Sequence, residues 1–439
     1  MVKFLTLLAG LVVGVENVEV AVIEPAARVE LRLNGRVVAG TSAPPWVLRC
    51  DFGRELHPGL VEAVAFDESG RELGRDAQRV NLPESRAEAA IVPETDESGR
   101  VVAARLAWSS PEFERPRSIL ALLDGRPVKV SGSHRLDLSA AAPDELHVLS
   151  VELEFSPELR LKRQLEFGKG FSGDASSDLT AVPVLVDGLS QLPAAASMVG
   201  WLTAGGEELR VTAVERERGR LVVVRDPGAE DQLVRLQAEG KRLSREARRA
   251  GVAGTGSWLD MLDGDVELRV LVAEPVRPSD RARATLLFPY SGEGLPGTEG
   301  IIRAAAAPKN ERLLGAGLMV GDGVAVAGLR AAEGNLRRAV LLLLGPQRED
   351  ASRFHPDAVR RFLAELHVPL VVWDLSGPGA EAPPAWRPDV DIASFDDVAE
   401  ATGRLRALFR RQCIVWVAGR HLPQAVELGP AAEGIELIR

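Results

Sequence analysis

Six histidines, His57, His134, His147, His355, His367 and His421, are the first side chains to weigh for chemistry. None stands in an H-x-x-x-H or H-E-x-x-H spacing, which would set two imidazoles on one helix face for a zinc ion. No G-x-S-x-G turn presents a nucleophilic serine. Cys50 and Cys413 lie far apart, which excludes a disulfide framework and any Cys-rich metal site. Cys413 opens the apolar run CIVWV and reads as a small buried residue rather than a nucleophile. Gly292-Glu293-Gly294-Leu295-Pro296-Gly297 matches G-x-G-x-x-G. A dinucleotide site also needs an acidic residue at a strand end about 20 residues later, which Leu314–Val320 does not supply, and Pro296 disturbs the loop. Gly315-Ala316-Gly317 is weaker. The first motif reads as a surface turn, and no cofactor is expected.

Composition narrows the field further. The chain has 439 residues, about three average domains' worth. It is 46% hydrophobic and 26% charged, a globular balance. The net charge of −10 disfavours nucleic acid as the main partner, because phosphate neutralisation needs the opposite sign. One Tyr excludes a Tyr-rich recognition surface. Phe4–Val15 (FLTLLAGLVVGV) is too short to span a membrane. It lacks an A-x-A-like cleavage site, and Val18, Val20 and Val22 alternate after it, so a strand pair is expected rather than a signal.

The elements that must carry any site begin with a repeat. RVELRLNGRVVAG (28–40) and SILALLDGRPVKV (118–130) share alternation, then Asn34-Gly35 or Asp124-Gly125, then a second strand. These dipeptides supply the positive φ angles of a two-residue hairpin. The turns are 90 residues apart, and the same offset maps Leu56, His57 and Val61 onto Leu146, His147 and Val151. Two immunoglobulin-like sandwiches are therefore expected, over residues 1–83 and 84–172. Trp46 reads as a core anchor of the first. The charge run RERGR (216–220) reads as a solvated hairpin.

From residue 173 strands alternate with helices, after a β-rich lead-in over 173–218. Apolar strands are expected at Ala181–Val186, Leu221–Val224, Leu268–Ala273, Ala284–Pro289, Ala339–Leu344, Val368–Trp373 and Cys413–Val417. Helices are expected at Gln232–Arg249, Gly323–Ala332, Pro356–Leu366 and Asp396–Arg410. Runs such as VLLLL and PLVVW need burial on both faces, which predicts a doubly wound, mostly parallel sheet through residue 439.

Four segments of this part resemble a bacterial von Willebrand factor A domain. LTAVPVLVDGLSQLPAAASMVGWLTAGGEELRVTAVE (179–215) is similar to the strand-rich lead-in of many members. RLVVVRDPGAED (220–231) resembles the first sheet strand and its acidic loop. Residues 324–345 and 352–377 resemble the fourth and fifth strands with their helices, and RLRALFRRQCIVWVAG (404–419) the closing helix and strand. The resemblance implies a metal-ion-dependent adhesion site, in which D-x-S-x-S, a Thr and a late Asp hold a divalent cation. Mg²⁺ demands several oxygen ligands in near-octahedral geometry. Here Asp226 fills the first position, but the Ser positions read Gly228 and Glu230. The Thr position falls near Leu318, and the late Asp near Leu344 or Gly345. A degenerate site without metal is expected.

The sequence thus points to two all-β sandwiches followed by an α/β domain, in a non-enzymatic binding, adhesion or scaffold protein of the cell envelope or exterior. Its expected partner is a protein, bound without a metal ion, and no transmembrane segment is expected. The alternatives are an enzyme with a site at the carboxyl edge of the sheet, where Asp226, Glu230, Asp322 or Asp350 would converge, and a cytoplasmic assembly factor.

Overall fold

The computed structural model describes residues 2–438 apart from 9, 23–24, 84–87, 97–99, 110–114, 143, 157–158, 169–175, 188–191, 217, 251–261, 263–264, 276–286, 295–296, 307–316, 378 and 380. Seven strands come first: β1 (Val2–Phe4), β2 (Val15–Val22), β3 (Arg28–Leu33), β4 (Arg36–Thr41), β5 (Val47–Asp51), β6 (Gly59–Phe66) and β7 (Glu72–Val80). They form one sheet in the order β1-β2-β5 and another in the order β4-β3-β6-β7. Alternation drives the packing: Val18, Val20, Val29, Leu31, Val61 and Ala63 bury between the sheets. Trp46 packs against this core. A strand pair does form here, β1 running antiparallel to β2 with Phe4 opposite Val20, but Phe4–Val15 supplies only the strand ends, and its described residues between them are not strand and bury Leu8, Leu11 and Val12.

The next seven strands repeat that topology. They are β8 (Glu88–Thr95), β9 (Val101–Ser109), β10 (Ser118–Leu123), β11 (Arg126–Pro127), β12 (Arg135–Asp137), β13 (His147–Ser156) and β14 (Leu159–Phe167). Their orders are β8-β9-β12 and β11-β10-β13-β14, strand for strand those of the first set. Asn34 and Gly35 have φ of 51° and 79°, Asp124 and Gly125 of 50° and 77°, as the hairpins require. The 90-residue offset, however, stops at the hairpin. Asn34 Oδ1 accepts the Leu60 N–H at 2.8 Å, and Asp124 Oδ1 accepts the Val148 N–H at 2.8 Å, a partner 88 residues on. The following strand is therefore slipped by two residues, which leaves every side chain on its expected face. His57 and His147 are not equivalent. The first side chain is 52% exposed and the second 8%.

Beyond residue 175 lie β15 (Ser176–Val186), β16 (Leu202–Ala204), β17 (Glu207–Glu208) and β18 (Val211–Glu215). A six-stranded sheet follows, made of β19 (Gly219–Arg225), β20 (Val266–Val272), β21 (Tyr290–Gly294), β22 (Arg337–Leu344), β23 (Leu370–Asp374) and β24 (Val390–Asp391). Its order is β21-β20-β19-β22-β23-β24, parallel except for β21. The helices are α1 (Glu230–Arg249), α2 (Thr298–Ala306), α3 (Val320–Ala332), α4 (Pro356–Glu365) and α5 (Phe395–Arg411). Successive strand residues face opposite layers. Val222, Val224, Val340 and Leu342 pack with α3 and α4, whereas Leu221, Val223, Leu341 and Leu343 pack with α1, α2 and α5. No described helix is long and apolar enough to cross a membrane.

Three expectations change here. The CIVWV run lies in β25 (Gln412–Ala418), which does not join the parallel sheet. It runs antiparallel between β15 and β18. Because β14 also pairs with β15, one sheet continues from the second sandwich into the third part of the chain. Gly292 and Gly294 lie in the edge strand β21 rather than in a turn. Arg220 of the RERGR run is 1% exposed, bonded to Glu267 at 2.8 Å and to the Arg330 carbonyl at 2.9 Å. Residues 284–286 of the expected strand Ala284–Pro289 and 315–316 of the Gly315-Ala316-Gly317 motif fall outside the described residues, and the described Leu287–Pro289 is not strand.

The parts are fastened by side chains. Lys162 contacts Glu152 and Glu215 and lies over the ring of Trp416, whose Nε1–H donates to Glu215 at 3.1 Å. Leu11 and Leu56 of the first sandwich join the apolar cluster of α3 and α4. Around them His57 Nδ1 meets Glu365 at 2.9 Å, Arg361 meets Glu55 at 2.8 Å, and Gln424 donates to the Pro58 carbonyl at 2.7 Å. Two short strands, β26 (Val426–Leu428) and β27 (Ile435–Leu437), pair with β16 and β15 respectively.

Candidate functional site at the carboxyl edge of the parallel sheet

In open parallel sheets a ligand crevice opens at the strand carboxyl ends where the chain reverses its direction of travel across the sheet. That point here lies between β19 and β22, which are central neighbours although far apart in sequence. Asp226 follows β19 and Gly345 follows β22.

Asp226 is 1% exposed. Its Oδ1 accepts the Gly228 N–H at 2.7 Å and its Oδ2 accepts the Gly345 N–H at 2.9 Å. Its own N–H donates to the Leu343 carbonyl at 2.9 Å. Burial pushes the carboxyl above its usual range, while the two N–H donors pull the other way. The loops touch as closely as backbone allows. A Cβ on Gly345 would stand 2.5 Å from the Gly228 carbonyl carbon, so only glycine fits. The Arg348 stem lies over Gly228, its Cδ 3.4 Å from where a Cβ would be. The carboxylate therefore ties two strand ends together with both oxygens.

Glu230 does not turn toward Asp226. It pairs with Arg225 at 2.8 Å. The Arg225 guanidinium is 2% exposed and also donates to the Ala305 carbonyl at 2.7 Å. Burial lowers its pKa, and Glu230 and Asp226 counter that. Asp322, in the first turn of α3, is also buried. It accepts the Arg353 N–H at 2.9 Å and pairs with the Arg353 guanidinium at 3.2 Å. Desolvation raises its carboxyl, against the pull of Arg353.

Asp350 caps rather than coordinates. Its Oδ1 accepts from the Val320 N–H at 3.1 Å and the Ser352 hydroxyl at 2.6 Å. Ser352 Oγ in turn accepts the Gly321 N–H at 2.8 Å. The start of α3, whose own N-cap Met319 offers no side-chain acceptor, is thus satisfied from the loop after β22. The edge brings together Asp226, Gly228, Gly345 and Arg348, and turns Glu230 and Asp322 to separate arginines. Ser352 and Arg348 were not singled out by the sequence, although the Asp350-x-Ser352 spacing is a capping signal. Among the described residues, no group of three or more His, Cys, Asp or Glu side chains is placed to hold a metal ion.

No protein-family model matches the chain, and no curated protein does. Solved structures similar in part include the following three. A mussel byssus structure, proximal thread matrix protein 1 with a zinc-occupied MIDAS motif, matches at 14% identity and a TM-score of 0.28, over 48% of this chain and 50% of that one. The fibronectin(III)-like modules of Clostridium thermocellum CbhA match at 16% and 0.17, over 38% of this chain and 94% of that one. The central fibronectin-III array of RIM-binding protein matches at 11% and 0.21, over 44% and 80%. With TM-scores this low, the functional reading rests on the chain's own residues.

Proposed function

We propose that the chain is a non-enzymatic protein-binding scaffold whose α/β part is a von Willebrand factor A-like domain with its cation site closed. In this reading two β-sandwich domains, 1–83 and 84–172, precede the α/β domain, 173–439. Strand order β21-β20-β19-β22-β23-β24 with one antiparallel edge supports the domain type. The observation that carries the function is the Asp226 carboxylate, whose two oxygens accept the Gly228 and Gly345 N–H groups beneath touching backbones. A cation there would have to displace both donors and then find ligands that Gly228 and Gly345 cannot offer. Binding is then carried by surfaces rather than by an ion. An extracytoplasmic location follows from the sequence resemblance, and fractionation of cells expressing the full gene tests it.

The test of the function is calorimetric titration with Mg²⁺, Mn²⁺ and Ca²⁺, paired with thermal unfolding with and without EDTA. No heat and an unchanged melting temperature are expected, since an ion bound only to the native state would raise its stability. Saturable binding lost in Asp226→Ala would restore a metal-dependent site.

A further inference from the structure

The outer face of α1 breaks the charge pattern of the molecule. The helix is oriented by its buried side: Leu233 and Leu236 are fully buried, and Gly240 meets Phe395 so closely that a Cβ would stand 2.6 Å from the ring. At 3.6 residues per turn, Val234, Ala238, Lys241, Arg242, Arg245 and Arg249 fall within one sector of about 100° on the opposite side. All six are exposed. Lys241, Arg242, Arg245 and Arg249 form no ion pair or hydrogen bond among the described residues, and Glu246 is the one acid within 241–249. Elsewhere exposed arginines are commonly paired, as Arg75 is with Glu62 and Glu72, or Arg361 with Glu55. Four unpaired cations within about 12 Å of helix stand out on a chain of net charge −10.

We infer that this stripe docks an acidic segment of a partner protein, a short stretch rich in Asp and Glu. Charge complementarity selects the class. An anionic membrane or a nucleic acid is an extended polyanion that meets the repulsion of the whole acidic body. A short acidic segment feels chiefly the cations within a Debye length, about 8 Å at physiological salt. The stripe also lacks what a membrane surface asks for. Its exposed apolar side chains are Val234 and Ala238, with no large side chain among the basic residues to insert. Three of the four cations are arginines, whose planar forks suit carboxylates. The inference rests on reading the chain as a binding protein and supplies the partner's chemistry. It does not depend on the cation site, so the metal titration and the experiment below fail separately.

The probe is a fluorescein-labelled decaglutamate peptide followed by anisotropy, with decaglutamine as control. Decaglutamate is expected to bind saturably at low salt and to weaken markedly toward about 0.3 M NaCl. The triple variant Lys241→Glu, Arg245→Glu, Arg249→Glu should lose at least about tenfold in affinity, a scale set by several close charge pairs. A second triple variant, Arg36→Glu, Arg54→Glu, Arg126→Glu, changes net charge equally at exposed sites and should stay within about twofold, because screening makes the field local. Glutamine at 241, 245 and 249 should fall between wild type and the reversal, and thermal melts confirm folding of each variant. Equal losses in both triple variants, no binding of decaglutamate, or tighter binding of phosphatidylserine vesicles or polyuridylate would each overturn the proposal.

Discussion

Gly345 donates its backbone N–H to Asp226 Oδ2 at 2.9 Å across 119 residues of chain, joining the ends of two adjacent parallel strands. The bond exists because Gly345 has no side chain: the Gly228 backbone occupies the space where a Cβ would be. What faces the carboxylate from the end of β22 is thus a backbone N–H donor, which cannot ligate a cation.

Gly345→Ala should therefore destabilise the α/β part. The obstructing atoms are backbone, 2.5 and 2.6 Å from the new Cβ, so no flexible side chain can yield. The loops must part, at a cost of roughly 1–3 kcal/mol or more, as overpacking of a closed contact typically gives. Urea unfolding followed by tryptophan fluorescence measures it, and a midpoint unchanged from wild type would contradict the closed edge.

His147 sets a pH dependence in the second sandwich. Its Nδ1 meets Asp124 Oδ2 at 2.7 Å and its Nε2 meets the Ala142 carbonyl at 2.9 Å, two acceptors that together favour the imidazolium. The Asp124 bond, against desolvation, raises the His147 pKa above 6.5. This stability is fully present below 6.5 and is lost as pH rises through the folded value. Burial works against ionised Asp124, but the His147 and Val148 donors outweigh it and lower its pKa below 3.8. That contribution is present above 3.8 and is lost as pH falls through the lower folded value. Melting temperature should thus be highest between these limits. Asp124→Asn should flatten the alkaline limb and return the NMR-titrated His147 pKa toward 6.5.

Leu56 belongs to the first sandwich in sequence but to the α3–α4 cluster in space, at 2% exposure. Leu56→Ala should cost about 2–5 kcal/mol, the range for a buried leucine. The loss should fall on the junction. Hydrogen exchange should quicken in α4 near Phe362 and Leu363, while β3 and β6 keep their protection.

Ser352 caps a helix it does not belong to. Ser352→Ala removes the acceptor for the Gly321 N–H and one donor to Asp350. A loss of about 1 kcal/mol is expected from urea unfolding, the usual worth of a hydroxyl cap. Ser352→Thr keeps the hydroxyl and should recover most of it.

The sequence by itself determined many of the strands and helices, β19, β22, α4 and α5 among them, and how the two hairpins turn, but not helix α2 or the edge strand β21, whose Gly292 and Gly294 read as a turn. The legible features are local: period-two alternation, a 3.6-residue period, and dipeptides that tolerate positive φ. The adjacency of β19, β22 and β23 was also legible, because runs such as VLLLL tolerate no solvent on either face. Tertiary structure decided what such patterns leave degenerate. A two-residue slip preserves every inward position, so the 90- and 88-residue offsets suit alternation equally, and only the pairing of Leu60 and Val148 with the turns separates them. Likewise CIVWV states that it is buried, not by what. A parallel neighbour and an antiparallel one bury the same side chains, and the backbone hydrogen bonds with β15 and β18 made the choice. The candidate site divides in the same way. Asp226 was visible as a carboxylate at a strand end, but its role was fixed by two N–H groups, one of them far away in the chain.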